Sequence, residues 1–424
     1  MKPRLQLALD FVDLDRALKV AEKAAKHVDI IEAGTPLIKA EGLDVVRALR
    51  ERFPKHTIVA DMKIMDAGRV EVESAAKAGA DIVNVCAAAS DQTIKESIDA
   101  GRHFGAEIIV DLIGVRDYVR RAEEVAKFNP DYVGVHTPID EQMLGIDAAE
   151  RVRQVAKEIQ VQIAAAGGIN SETVVDVVKS GASIVIVGGA ITKAEDPGKA
   201  ASTIRRAMLS KRGVKTALFK RSTDVRSILL KVSAANISDA MHRSGELKGI
   251  YPLSEGKMVG EAVTVRVYPG DWAKTVEAID VAKKGDVIVI DAGGVGPAVW
   301  GELASQSAVQ KKLSGVVIDG ACRDTEEIQK LGLPVYARLM IPTAGEPRGL
   351  GEIDVPIMVS GVPVKPGDWI IGDSDGVVVI PKEKAVETAN RAMDILEKEN
   401  RIRKEIKEGS TLSKVTHLLK WEKK

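Results

Sequence analysis

The chain has 424 residues, 45% hydrophobic and 29% charged, the mix of a globular protein and too long for one ordinary core, so two domains are expected. Lys plus Arg and Asp plus Glu both number 61, and a net charge of zero argues against a protein that coats nucleic acid. Two distant cysteines, Cys86 and Cys322, offer no disulfide framework or CxxC metal site, and the chain shows neither a signal-peptide core nor an uncharged apolar run of about 18 residues; a cytoplasmic protein without a membrane span is expected.

In the first 210 residues, short β-like runs alternate with Ala- and charge-rich stretches at helical spacing. The runs are LQLALD (5–10), IIEAG (30–34), TIVADMK (57–63), DIVNVC (81–86), EIIVDLIG (107–114), YVGVHT (132–137), QIAAAGGI (162–169) and IVIVGG (184–189). Eight βα units predict a (β/α)8 barrel over 1–210; a doubly wound open sheet is weaker, because no GxGxxG follows the first strand. Polar residues gather at the C-terminal ends of the runs, the face that holds a barrel's active site: Asp10, Glu32, Asp61, Lys63 and His136, with Asp111 midway along the fifth.

The stretch ADMKIMDAG (60–68) raises the sharpest question, since Asp61, Lys63 and Asp66 crowd the end of a buried strand, where charges are costly unless paired or bound. Asp61 and Lys63, two apart on a strand, are expected on one face. With Glu32 on the neighbouring strand end, two carboxylates can hold a hard cation such as Mg2+, and a lysine beside them can move protons. A structural ion pair is the plainer reading of Asp-x-Lys alone, and the shared rim with Glu32, Asp111 and His136 tips it towards a site. Gly167-Gly168 and Gly188-Gly189, each ahead of an expected helix start (Asn170 or Ser171 capping the first), suit a phosphate site at loops seven and eight. His27, His56 and His103 read as surface residues.

Residues 211–222 form a basic stretch without a clear strand, expected as a linker. A second domain, 223–400, begins with helical periodicity and continues with runs rich in Val, Ile and Gly; a charged amphipathic helix closes it, and 401–424 is expected as a helical tail. Here GGVGPAVWGELAS (293–305) follows one strand and VVIDGACRDTEEIQ (316–329) ends another with Arg323-Asp324. An arginine binds a carboxylate bidentately and the adjacent aspartate can serve Mg2+; a surface pair at a helix start is the equal alternative.

DMKIMDAGRVE resembles the D-x-K-x-x-D signature of the orotidine monophosphate decarboxylase superfamily, and its Asp-Ala-Gly continuation the metal-dependent branch of 3-hexulose-6-phosphate synthases and 3-keto-L-gulonate-6-phosphate decarboxylases. VDIIEAGTPLIKAEG and VGGAITKAEDP resemble the synthases, over about 3–208. The decarboxylases carry an arginine three residues after the histidine, where this chain has Ile139, and tend to carry glutamate at the position of Asp111. The resemblance implies aldol addition of formaldehyde to D-ribulose 5-phosphate, or its reverse. It makes Glu32 and Asp61 ligands of Mg2+, or of Mn2+ in its place, the metal polarising the ketose carbonyl. It makes Lys63 and His136 the candidates for proton transfer, leaves the base unassigned, has Asp10 and Asp111 orient hydroxyls, and has Gly168 and Gly189 hold phosphate. Asp66 is implied to reach a partner subunit's site, hence a dimer.

The second domain, over about 225–385, resembles the class II pyruvate aldolases acting on 4-hydroxy-4-methyl-2-oxoglutarate and the related regulators of ribonuclease activity A. The motifs are Gly301-Glu302-Leu303 and Arg323-Asp324-Thr325-Glu326-Glu327. The resemblance implies an α/β/α swivelling fold, trimers, Asp324 at a metal, Arg323 on the carboxylate or enolate of a 4-hydroxy-2-oxo acid, and the Gly301, Leu303 and Ala304 region against the keto acid. A non-catalytic regulatory or oligomerisation module is the alternative.

Overall fold

The computed structural model describes residues 2–216 and 221–415, which divide into two compact units at residue 220. The eight β-branched runs become the parallel strands β1 (Arg4–Leu9), β2 (Ile30–Ala33), β3 (Thr57–Ile64), β4 (Ile82–Cys86), β5 (Glu107–Asp111), β6 (Tyr132–His136), β7 (Gln162–Ala166) and β8 (Ala182–Val187), closed in chain order by pairing of β8 with β1. The expected barrel is therefore present.

Local signals place the surrounding helices. Asp13 caps Leu14–Ala24 by accepting the Arg16 N–H at 2.9 Å; Ser90 caps Asp91–Phe104, which Gly105 ends at φ +78°. Period-two alternation then sorts each strand. Ile31, Ile58, Val83 and Ile108 join the layer packed under the helices, whereas Ile30, Val59, Ile82, Ile109, Tyr132 and Ile184 form a separate buried cluster across the barrel interior. That second cluster is an apolar floor.

Two expectations need correction. β5 stops at Asp111, so this residue ends its strand rather than lying midway. β3 is not regular to its end: Ala60 pairs with Val83 but Ile64 with Val85, and Lys63 sits at φ +53°. The strand is bulged there, so simple alternation does not explain why Asp61 and Lys63 share a site.

In the second unit, β10 (Met258–Val267), β11 (Val287–Asp291), β12 (Gly315–Cys322) and β13 (Val335–Met340) run parallel, following the edge strand β9 (Tyr251–Pro252) in the chain. After β14 (Gly351–Ile353), β15 (Ile357–Val359) and β16 (Val362–Val364) come β17 (Trp369–Asp373) and β18 (Gly376–Ile380). The sheet order is β18-β17-β10-β11-β12-β13-β9, with β14 also on β10. The segment DWIIGDSDGVVVIP is the hairpin β17–β18, turned at Ser374-Asp375. The closing helix spans Ala385–Lys407 and crosses the boundary expected at 400. Of the linker expected over 211–222, Val214 and Thr216 are hydrogen-bonded to Ser171 and Glu172, and Ser222 to Asn390; residues 217–220, and 416–424 of the expected tail, lie outside the described residues. Among the described residues no helix is long and apolar enough to cross a membrane.

Candidate active site

Two residues beyond the floor, the same alternation lifts a polar layer: Glu32 follows Ile30, Asp61 follows Val59, Asn84 follows Ile82 and Asp111 follows Ile109, all buried. Gln6 of β1, fully buried, belongs to the same layer. Gly134 leaves room in it, since a Cβ there would stand 3.1 Å from the Asp111 Cα.

Asp61 is the centre. Its Oδ1 accepts from Lys63 Nζ at 2.6 Å and Asn84 Nδ2 at 2.9 Å, and its Oδ2 from Lys63 Nζ at 2.7 Å and Thr35 Oγ1 at 2.8 Å. Lys63 also lies 3.2 Å from Asp111 Oδ2, which His136 Nδ1 approaches at 3.3 Å, while Asp111 Oδ1 accepts the Ile113 N–H. Gln6 Nε2 donates to Glu32 Oε2 at 2.5 Å. Asp10 stands at the open rim, near the backbone of Gly34 and Gly188.

The charges perturb one another. Burial, then Asp61 and Asp10, push the Glu32 carboxyl well above its ordinary value of 4.5. The surrounding protein, with Asp61, also raises Asp10, exposed though the residue is. Burial works against the Lys63 ammonium, but Asp111 and Asp61 outweigh it and hold it above the usual lysine range. Burial likewise pushes Asp111 up, and the His136 hydrogen bond and charge with Lys63 pull it below the carboxylate range. Besides Asp111, which His136 also holds, three carboxylates, Asp10, Glu32 and Asp61, thus share the one ammonium. A donor set of hard oxygens short of positive charge fits a divalent cation, with Glu32 and Asp61 as the deepest pair. Among the described residues no three His, Cys, Asp or Glu side chains converge as a metal group, so Glu32 and Asp61 are a pair rather than a complete carboxylate set.

Of the other expected residues, Asp66 is exposed, accepts the Ala67 N–H at 2.8 Å and stays outside this cluster within one chain. Gly167 and Gly168 take left-handed conformations (φ +106° and +68°) after β7. The helix behind them starts only at Val174, and Asn170 instead bonds the N–H groups of Glu172 and Thr173; neither Asn170 nor Ser171 caps it. Gly189 heads a single turn, Gly189–Thr192, with the Lys193 side chain folded back towards it. Thr35, Gln6 and Asn84 went unnoticed in the sequence. For Gln6 and Asn84 the signal was strand parity, Asn84 standing two beyond a floor isoleucine, whereas Thr35 opens the helix Thr35–Glu41 after β2.

In the second unit Arg323 and Asp324 leave β12 together, Asp324 at φ +57°. Asp324 Oδ2 accepts the Glu302 N–H at 3.2 Å and lies 3.4 Å from Arg323 Nε. Gly301 packs closely here: a Cβ on it would fall 2.7 Å from that oxygen and push the Asp324 carboxylate aside. Leu303 and Ala304 follow in the first turn of Glu302–Gln310, Leu303 largely exposed. Glu302 bonds Gln306 and Glu327 pairs with Lys330, so the acidic residues of the motif do not gather on one point. Trp300, unassigned from sequence, is a core residue whose indole N–H bonds Ser305.

A closed parallel barrel with a buried carboxylate–lysine cluster at its C-terminal mouth defines an enzyme of the decarboxylase–aldolase barrel class, and residues 3–204 match the family model described as Orotidine 5'-phosphate decarboxylase / HUMPS family. Residues 234–379 match a second, RraA-like: Aldolase/RraA. The 3-hexulose-6-phosphate synthase of Mycobacterium gastri is 40% identical over 48% of this chain and 99% of its own, and that of Methylomonas aminofaciens 42% identical over 47% and 96%. Through its first unit the chain belongs to the 3-hexulose-6-phosphate synthase family, with an RraA-like domain behind it. A solved structure titled as the RNA-processing inhibitor RraA from Thermus thermophilis is 30% identical, covering 35% of this chain and 92% of that one, at a TM-score of 0.33.

Proposed function

We propose that the first unit adds formaldehyde to C1 of D-ribulose 5-phosphate, giving D-arabino-3-hexulose 6-phosphate, or runs the reverse, with Mg2+ held by Glu32 and Asp61. The observation that carries this reading is the buried layer of Glu32, Asp61 and Asp111 around Lys63, together with the synthase relatives. When bound, the cation supplies Lewis acidity at the ketose carbonyl. Lys63, kept protonated by Asp61 and Asp111, is suited to give a proton rather than take one. His136 is the better acceptor for the C1 proton: Asp111 at its Nδ1 leaves Nε2 for the substrate. Asp10 and Asp111 orient hydroxyls, and Gly168 and Gly189 offer backbone N–H groups to the phosphate. Asp66 completes the site of a partner subunit in a dimer. Ile139, half exposed and apolar, supplies no proton, which favours the synthase over 3-keto-L-gulonate-6-phosphate decarboxylase. The test is formaldehyde consumption with ribulose 5-phosphate and Mg2+, expected to stop with a chelator; no consumption overturns the reading.

The second unit is read as a Mg2+- or Mn2+-dependent aldolase for 4-hydroxy-2-oxo acids, active in a trimer. Arg323 holds the carboxylate or enolate, Asp324 serves the metal, and the amides of Leu303 and Ala304 face the keto acid. A regulatory module is the second reading, favoured by the separation of Glu302 and Glu327 and by the engagement of Asp324 with Arg323 and the Glu302 N–H. Turnover of oxaloacetate or a pyruvate-releasing acid decides between them.

A further inference from the structure

Gln6 and Asn84 are neutral side chains inside the charged layer, and each is half satisfied. Gln6 gives its Nε2 to Glu32 and Asn84 its Nδ2 to Asp61, yet Gln6 Oε1 and Asn84 Oδ1 are buried with no hydrogen-bond partner. A buried unpaired oxygen is costly, because it has given up its water without gaining a donor. Turning either amide over would set its oxygen against a carboxylate, so the present orientation is the better of two poor ones. A residue chosen for stability would be apolar at such a position. What each amide achieves is to take a lone pair of one carboxylate and fix its plane. Gln6 occupies Glu32 Oε2. Asn84 and Thr35 take one oxygen each of Asp61, and Lys63 spans both of its oxygens.

We infer that Gln6 and Asn84 are positioning residues that hold Glu32 and Asp61 in the orientation a divalent cation requires, their stranded oxygens being what that orientation costs. The inference rests on the reading of Glu32 and Asp61 as the metal pair. Thr35 cannot hold Asp61 alone, because its hydroxyl is shared between the Asp61 carboxylate and the Asp61 carbonyl oxygen at 2.7 Å. Among the described residues Asn84 is the only other neutral side chain that donates to that carboxylate.

The test uses the full chain and Mn2+ alone, with binding read by electron paramagnetic resonance and folding by the thermal midpoint of the metal-free protein. Asn84→Thr and Asn84→Val have one shape and differ in a single hydroxyl donor. Asn84→Val and Gln6→Met are expected to weaken Mn2+ binding about 10–100-fold, the usual effect of losing a partner of a metal ligand. Asn84→Thr, which keeps a donor and loses the stranded oxygen, is expected to stay close to wild type. Equal affinity of Asn84→Val and Asn84→Thr, or a lowered midpoint with unchanged affinity, assigns the amides to the fold and overturns the inference while leaving the metal pair in place. Failure of wild type to bind Mn2+, or Glu32→Gln binding as well as wild type, overturns the metal pair itself and the inference with it. If Gln6→Met does not fold, the Asn84 pair decides.

Discussion

Asp61 receives four hydrogen bonds from three side chains, Thr35, Lys63 and Asn84. Replacing it by asparagine keeps the size and removes the charge that a cation and Lys63 both need. Asp61→Asn is expected to cost at least about 100-fold in kcat/KM for formaldehyde fixation, with far-ultraviolet circular dichroism unchanged; near wild-type activity in excess Mg2+ would remove Asp61 from the metal. Glu32 makes a pH prediction. Its folded carboxyl lies above 4.5 and its unfolded one near it, so in that window the folded chain binds the extra proton. The metal-free protein is therefore expected to lose stability as pH rises from about 4.5 through the raised value, and Glu32→Gln to flatten that slope in denaturant titrations at several pH values. These charged residues were legible in the sequence because burying them at strand ends demands a reason. Gln6 and Asn84 were not, because a neutral amide within a strand is unremarkable until the layer it shares is seen, nor was Thr35, a hydroxyl at the start of the helix Thr35–Glu41.

Element boundaries followed composition where local chemistry was strong. Ser90 and Gly105 bracket their helix, and Asp196-Pro197 opens another. They slipped where tertiary structure overrode it. The helix expected just after Gly168 is delayed to Val174 by the Asn170 turn, and the β3 bulge leaves no trace in a sequence that reads as an even strand. Close approach of elements gives two tests. Gly68 opens the helix Gly68–Lys77, and a Cβ there would meet Ser97 Oγ at 2.4 Å and the Thr93 carbonyl oxygen at 2.6 Å. Gly68→Ala is expected to destabilise the first unit by about 1–3 kcal/mol, seen in its urea midpoint. In the second unit Gly301→Ala crowds Asp324, as the 2.7 Å approach requires. It is expected to lower any keto-acid aldolase activity while formaldehyde fixation stays as in wild type; loss of fixation instead would tie the two chemistries together.

At the scale of the whole chain, both halves were recognisable from separate motifs because each carries its own sheet and its own hydrophobic cluster. The join was less legible. A basic stretch reads as linker, but backbone hydrogen bonding decides, and Val214 and Thr216 are tied to the loop after β7 by Ser171 and Glu172. A fragment of residues 1–216 is expected to express as an active synthase with a higher thermal midpoint than one of 1–210, which loses those anchors. Aggregation of 1–216 with an active full chain would show that the barrel needs its neighbour.

The bulge in β3 also bears on how this sequence can change over generations. From Ala60 to Ile64 the strand advances four residues while β4, from Val83 to Val85, advances two. The surplus pair is what turns the run carrying Asp61 and Lys63 into the mouth. Length here is as constrained as identity: a lineage can exchange Met62 for another residue, but losing two of the three codons between Ala60 and Ile64 to restore an even ladder necessarily takes Asp61 or Lys63 with it.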